Sequence, residues 1–417
     1  MRPLPGFRDF FPGDFAVSRY VFNAWRRVAR RYGFVEYSAP TLENMELYES
    51  KNNGGEILGQ LYQFEDKGGR RVGLRPEMTP TLARMVAAKH QAYKKPLKWF
   101  SIANFFRFER QQKGRLREFY QFNADLLGDA TVAADAELLA LSIDCLRELG
   151  FTSDDVVLRV SDREAWLSFL KERGIEEPEA VATVLDVVDK LEREDASRLE
   201  ERLKSWPVSL AELREFIAGG SEKAIGPLLA EMEARGLREF VRPDLGIVRG
   251  LAYYTGIVFE IFDRGAAMRA VAGGGRYDTL IKNLSGGAAD LPAAGFAMGD
   301  VVLGNLIAET PHAAAAMKAA LEADAASEVY VVLADPERRS EALGLIQSLR
   351  DKGLRTDFSL NGGKVGKQFQ AADAAGASFA VVVGSEWPEV KLKRLETREE
   401  VTVLNEALAE KIKTKQL

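Results

Sequence analysis

Cysteine is nearly absent from this chain, and so is histidine: Cys145 stands alone, and His90 and His312 are the only imidazoles in 417 residues. A single cysteine excludes an internal disulfide, and three such residues are too few for a cysteine/histidine zinc site. This scarcity reads as a reducing compartment. Neither sign of charge dominates, since 57 Lys and Arg face 62 Asp and Glu for a net charge of −5. That balance excludes a protein coated in positive charge for non-specific nucleic-acid binding, and it leaves room for a local basic patch. No uninterrupted apolar run approaches the roughly 18 residues of a membrane span. The opening MRPLPGFRDFFPGDF carries prolines and acids where a secretory leader has an apolar core. The expectation is a cytoplasmic, multidomain protein that holds no metal through its own histidines or cysteines. Phosphate-loop spacing is also missing. GGKVGKQ at 362–368 has the wrong glycine spacing and no Ser or Thr after the lysine, and no GxGxxG follows a strand. Two histidines, neither in a recognisable setting, give no support to Ser/His/Asp hydrolysis.

What is present is ordinary in amount: 46% hydrophobic and 29% charged residues, enough for several packed cores. At roughly 150 residues each, the length predicts about two to three domains. Val17, Val21, Trp25, Val28 and Tyr32 recur at steps of four and three, faced by Arg26, Arg27, Arg30 and Arg31. They predict an amphipathic helix that stops at Gly33, with a short strand over 34–38. Thr79-Pro80 is a good helix start, and that helix is expected over 79–93. A second is expected over 133–149, where apolar spacing makes Cys145 a small core residue. From about 162 to 240 helix formers dominate with no strand-like run, which reads as an inserted helical module. Strand character returns at 256–263 and 268–272. Past an alanine-rich helical linker at 311–327, strands (VYVVLA, RTDFSL, FAVVVG) alternate with helices (EALGLIQSLRDKG, KQFQAADAAG). Such alternation implies a small domain with parallel βαβ units.

The densest chemical signal lies at 94–118, where eight basic side chains (Lys94, Lys95, Lys98, Arg107, Arg110, Lys113, Arg115, Arg117) face two acids, Glu109 and Glu118. NFFRFER and REFYQFNAD flank the polar QQKGRL, so a β-hairpin is expected. Period-two alternation would place Arg107 and Glu109 on one face, with Phe119, Gln121, Asn123 and Asp125 together on the facing strand. Such a face offers a guanidinium for a phosphate, an aromatic plate for a base and polar groups for a small zwitterion. The plainer alternative is a solvated basic hairpin, which the burial of Arg107 among Phe105, Phe106 and Phe108 would disfavour. A second signal, IVRGLAYYTGIVFE at 247–260, sets Arg249 in an apolar stretch beside Tyr253 and Tyr254. In a third, AGGGRYD at 272–278, glycines permit close backbone approach. Taken singly, each of these two also fits a glycine-bearing turn with core tyrosines.

In this order the three segments resemble the histidine-specific class II aminoacyl-tRNA synthetases, over nearly the whole chain. LPGFRDFFP looks like that family's opening, and GFVEYSAPTLE its motif 1, with Pro40 in the place associated with a dimer interface. RPEMTPTLARM resembles the amino-acid-binding loop and FRFERQQKGRLREFYQF motif 2, while VRGLAYYTGIVFE resembles the histidine-specific signature. The resemblance implies an α+β catalytic domain on an antiparallel sheet over 1–325, interrupted by a helical insertion at 162–240. A C-terminal α/β anticodon-binding domain over 328–417 would follow. The implied activity is ATP-dependent ligation of L-histidine to tRNA(His) through a histidyl-adenylate, in a homodimer, with magnesium accompanying ATP.

The resemblance also implies roles. Arg107 would hold the α-phosphate, Glu109 would read the adenine, Phe119 would stack on it, and Arg115 would reach the outer phosphates. Glu77, Thr79 and Gln121 would hold the α-amino group of histidine. Asp125 and Tyr254 would meet the imidazole, with Tyr253 beside them. Arg249 would stabilise charge on the α-phosphate, in the place that many class II enzymes fill with a metal ion. Arg110, Gln111 and Gln112 would touch the tRNA acceptor end. Lys364, Lys367 and Gln368, at a glycine-flanked helix start, would suit anticodon phosphates and base edges, or else form a solvated helix end.

Three positions depart from the family pattern. Asp125 stands where a glutamate is more usual, Ala252 where the signature has aspartate, and Val302 where motif 3 ends in an arginine. Some other cation is expected near Val302. These departures raise an alternative: a catalytically silent, histidine-sensing paralogue such as the regulatory subunit of ATP phosphoribosyltransferase. Such paralogues typically lack the C-terminal domain and tend to lose the catalytic arginine, both of which this sequence has.

Overall fold

In this computed structural model, residues 2–49, 55–191, 194–249, 253–265, 268–325 and 327–414 are described. The apolar stripe near the start forms α1 (Pro12–Arg31), with proline in the first turn, where its missing N–H costs nothing. Gly33 ends it at a φ of 75°, open to glycine at little cost. The buried face of α1 lies on a sheet, with Trp25 stacked on Phe122 at 5.7 Å. After the two-residue strand β1 (Val35–Glu36), a small sheet forms from β2 (Leu42–Asn44), β3 (Gln63–Glu65) and β4 (Arg71–Leu74), with short helices α2 (Glu46–Glu49) and α3 (Gly55–Leu58) between. α4 (Thr79–Lys89) begins at the expected threonine and stops four residues before the expected end, where His90–Ala92 form a 3-10 turn.

The long pair β5 (Leu97–Phe106) and β6 (Glu118–Leu127) is antiparallel and leads to α5 (Val132–Arg147), in which Cys145 is fully buried. Burial pushes its thiol well above the ordinary range, as befits an inert core residue. β7 (Val156–Asp162) then opens the helical run α6 (Arg163–Lys171), α7 (Pro178–Lys190), α8 (Ala196–Leu203), α9 (Leu210–Ala224) and α10 (Gly226–Ala234). This run is not one module by its packing. Trp166, Phe169, Val184, Leu199 and Leu213 make a core of their own, whereas Ile225, Leu228 and Met232 join the main core beside α5. Helix formers look alike in sequence whichever core they serve.

The chain returns through β8 (Val241–Pro243), β9 (Ile257–Asp263), β10 (Ala272–Arg276), α11 (Leu280–Leu284), β11 (Ala293–Gly299) and α12 (Asp300–Glu309). The main sheet has the order β1-β5-β6-β11-β10-β9-β7-β8. It is antiparallel throughout except at its edges, where β1 runs parallel to β5 and β8 to β7. α5 and α12 cover one face; the other carries the site.

The chain divides into two units, Met1–Met317 and Lys318–Leu417, and α13 (Pro311–Ala325) spans the division. In the second unit β12 (Val329–Leu333), β13 (Thr356–Phe358) and β14 (Phe379–Val383) pair in parallel, connected by α14 (Arg339–Asp351) and α15 (Val365–Ala374). β15 (Glu389–Arg394) and β16 (Glu400–Leu404) extend this sheet antiparallel, and α16 (Leu408–Thr414) closes it. EVKLKR buries Val390 and Leu392 and turns Lys391 outward, so its lysines hide a strand from a composition reading.

Candidate active site

Strand register assembles the site face. Asp125 on β6 lies opposite Gly295 on β11, which lies opposite Gly275 on β10 and then Val258 on β9. One step along, Asn123, Ala297, Gly273 and Glu260 line up in the same way. The centre of the floor therefore carries almost no side chain. Its glycines are seats. A Cβ at 273 would lie 1.6 Å from Arg249 Nη1, one at 275 would lie 2.8 Å from a Tyr254 ring carbon, and one at 295 would lie 2.0 Å from Asp125 Oδ1. The AGGGR of AGGGRYD is thus a strand, and two of its three glycines admit functional side chains from elsewhere in the chain.

Arg249 occupies the left-handed region at a φ of 49°, an uncommon conformation for a residue other than glycine that the surroundings must hold. Nη1 donates to Glu260 Oε1 at 3.2 Å and to the Phe259 carbonyl at 3.5 Å. Its Cζ lies 5.6 Å from the centre of the Tyr254 ring. Burial alone would lower the guanidinium, but Tyr254, Glu260, Tyr253 and Glu77 outweigh it and raise its pKa. Nε is buried with no hydrogen-bond partner among the described residues, a vacancy that a polar ligand can fill.

Glu77 sits just before α4 and is buried. Tyr253 Oη donates to its Oε2 at 3.3 Å, and Thr79 also bonds that tyrosine. Burial raises the Glu77 carboxyl above its ordinary range, against the pull of Arg107 and Arg249. Deeper in, Asp125 accepts from Tyr277 Oη at 2.5 Å. Burial pushes its carboxyl up to about 7. Tyr253 packs against Tyr254 and Tyr277 at 5.0 and 6.0 Å between ring centres, so the two acids share an aromatic wall.

Toward the mouth, Arg107 Nε donates to the Pro76 carbonyl at 3.1 Å, and its Cζ lies 5.3 Å from the centre of the Phe119 ring. Gln121 is half-buried on the site face of β6. The strand alternation expected for Arg107 and Glu109 does not hold. β5 ends at Phe106, and although Arg107 N still donates to Arg117 O, Glu109 N turns back to Arg107 O. The loop bends before the pattern can continue. Glu109 Oε2 pairs with Arg115 Nη1 at 2.7 Å. Arg110, Gln111 and Gln112 are exposed at the loop tip. Val302 lies in the first turn of α12 against Gly114 of this loop. Ala252 lies outside the described residues.

Two members of the site carry no assigned role in the sequence reading. Tyr277 holds Asp125, and Glu260 holds Arg249; both sit inside quoted segments, GGGRYD and IVFE, as their last or next-to-last residues. Arg276 between them points the other way, into a buried pair with Asp135 at 2.7 Å. Gln368 requires a correction. Its amide is buried and bonds Leu333 N, Leu333 O and Gly363 O, so it ties α15 to β12 and is closed to a base edge.

In chemical terms the pocket offers carboxylates at two depths. Glu77 would suit an ammonium, and Asp125 an N–H of a ring held among tyrosines. Both Arg107 and Arg249 act on Glu77, so an anion placed near it meets two guanidiniums. Among the described residues, no group of three or more His, Cys, Asp or Glu could hold a metal ion, and no helix is long and apolar enough to cross a membrane.

Residues 6–300 match the family described as histidyl-tRNA synthetase, and residues 328–415 match an anticodon binding domain. The histidine–tRNA ligase of Opitutus terrae is 45% identical over 97% of this chain and 96% of its own length. The chloroplastic/mitochondrial histidine–tRNA ligase of Arabidopsis thaliana is 38% identical over 97% of this chain and 85% of its own. Among solved structures, histidyl-tRNA synthetase from Nostoc sp. PCC 7120 superposes with a TM-score of 0.77 at 25% identity, over 99% of both chains.

Proposed function

The chain belongs to the histidyl-tRNA synthetase family, and from that membership we propose how its pocket ligates L-histidine to tRNA(His) with ATP. Histidine lies with its ammonium at Glu77, Thr79 and Gln121. Its imidazole lies between Asp125 and Tyr254, with Tyr253 alongside and Tyr277 orienting Asp125. ATP stacks its adenine on Phe119, with Glu109 reading the base edge, Arg107 at the α-phosphate and Arg115 at the outer phosphates. Magnesium enters as part of the substrate, MgATP, held by the phosphates.

The histidine carboxylate attacks the α-phosphorus in line, and the bond to the bridging oxygen breaks to release pyrophosphate. Arg107 and Arg249 stabilise the charge that gathers on the α-phosphate oxygens. A ribose hydroxyl of the terminal tRNA adenosine then attacks the carbonyl carbon of the adenylate and expels AMP. Arg110, Gln111 and Gln112, exposed at the loop tip, meet the acceptor end. Lys364 and Lys367, at the start of α15, meet the anticodon stem-loop, and the protein acts in the cytoplasm as a homodimer.

One observation carries this reading: Arg249 lies across Gly273 with its Nε buried, in the same pocket as Glu77 and Asp125. A histidine-sensing subunit without transfer chemistry has no use for a guanidinium held there in a left-handed backbone conformation. The test is pyrophosphate exchange into ATP, which should depend on histidine and fall by about a thousandfold or more in Arg249→Ala. Wild-type protein that binds histidine and exchanges nothing would favour the regulatory reading.

A further inference from the structure

Position 302 contributes no charge to the mouth of the pocket, and its half-buried valine packs against the loop between β5 and β6. A Cβ on Gly114 would lie 3.1 Å from Val302 Cγ2, so the loop between β5 and β6 rests directly on the first turn of α12. Gly114 bends there at a φ of 81°, and Lys113 beside it pairs with Glu309, in the last turn of α12, at 3.0 Å. Any further cation for the far end of a triphosphate must come from another element.

The connection between β9 and β10 supplies one. Arg269 Nη2 donates to Gln112 Oε1 at 3.5 Å. Gln112 in turn bridges Arg115 across the loop, with Gln112 N donating to Arg115 O at 3.3 Å and Arg115 N to Gln112 O at 2.9 Å. Two residues beyond Arg269, the Val271 carbonyl accepts from Gly299 N at 3.2 Å, which sets this connection beside the start of α12. Arg269 is exposed and reaches the loop residue that backs Arg115. Its contact with the neutral amide is at the outer limit of a hydrogen bond, whereas a phosphate oxygen would offer a short, charge-assisted one.

We propose that Arg269 binds the outer phosphates of ATP beside Arg115, supplying from the β9–β10 connection the positive charge that α12 lacks at Val302. The proposal rests on the ATP use argued above. It is tested by equilibrium binding of MgATP and of AMP to the full chain and to Arg269→Ala and Arg269→Lys, with thermal midpoints alongside. Arg269→Ala should weaken MgATP by about tenfold or more while AMP and histidine stay within about twofold, and Arg269→Lys should recover part of the loss. Weakening of MgATP by less than about twofold would overturn the proposal. So would an equal loss for AMP and MgATP, or a loss of every ligand with a lowered midpoint, since each would mean that Arg269 only shapes the loop. Wild-type protein without histidine-dependent exchange would break the functional reading instead, while the contrast between MgATP and AMP would still decide Arg269.

Discussion

At the inner end of the pocket Asp125, Tyr254 and Arg249 each lie across a glycine of the sheet, on backbone that cannot move aside. At the mouth, the side chains lie on one another: Arg115 on Glu109, Arg107 along Phe119, Arg269 toward Gln112. Asp125 and Tyr254 are buried, Arg249 is 20% exposed, and the partners of all three are fixed; the outer groups lie at or beside a loop and half face solvent. The difference teaches where binding energy has to be spent. Groups that are preorganised act at full strength on arrival of the substrate, whereas groups paired with one another must first exchange partners. By this logic the amino-acid end is built before histidine arrives, and the nucleotide end is completed by ATP.

The sharpest way to break the comparison is to fill a seat. In Gly273→Ala the new methyl meets the tip of Arg249, the movable end of a long side chain, so the guanidinium leaves and the fold stays. In Gly274→Ala the methyl meets the Gly295 carbonyl at 2.2 Å and Phe296 Cα at 2.7 Å, which is backbone and cannot leave. Gly273→Ala should therefore lose histidine-dependent exchange by about a thousandfold with its thermal midpoint nearly kept. Gly274→Ala should lose the midpoint itself. Equal behaviour of the two variants would show that the floor is no seat.

These seats mark the limit of what the sequence made legible. The apolar stripe of α1, the Thr79-Pro80 helix start and the β12–β14 units follow from local spacing and needed no tertiary knowledge. Motif resemblance located the site segments. It could not say that AGGGR is a strand, because three glycines carry no alternation of side chains, and what two of them admit, Arg249 and Tyr254, comes from the chain before β9. Tyr277 was missed for the same reason: its partner Asp125 is 152 positions distant, and only the β6–β11–β10 register brings them together. Gln368 was misread because an amide beside two lysines and glycines looks solvated until β12 is placed against α15.

A smaller effect is expected from Asp125→Asn, and its signature is in pH. Burial raises the Asp125 carboxyl from an ordinary 3.8 to about 7, so near neutrality the pocket holds both acid and carboxylate. The carboxylate is the form that accepts an imidazole N–H while Tyr277 donates to the other side. Histidine KM should thus fall as pH rises through about 7. Stability runs the opposite way. The unfolded chain ionises this group near 3.8 and the folded one near 7, so the fold loses stability as pH rises between those values and then levels. Asp125→Asn should raise histidine KM by about tenfold to a hundredfold and flatten its pH step, leaving only the titration of free histidine. Above pH of about 7 its thermal midpoint should be no lower than that of the wild type. A pH step of unchanged size would remove Asp125 from the imidazole.

The smallest effect should come from the mouth, at Glu109→Gln. The Glu109–Arg115 pair joins a largely buried carboxylate to a guanidinium whose side chain is 41% exposed, so salt screens it and its worth is modest. Removing the charge releases Arg115 toward phosphate, which helps ATP, and exchanges one acceptor for a weaker one at the adenine edge, which hinders it. The two shifts oppose each other. ATP KM should change by no more than about fivefold, the change should shrink as ionic strength rises, and histidine KM should stay put. A loss of about fiftyfold or more that salt does not touch would mean that this pair is as fixed as the seats on β10, and the contrast between the two ends of the pocket would fail.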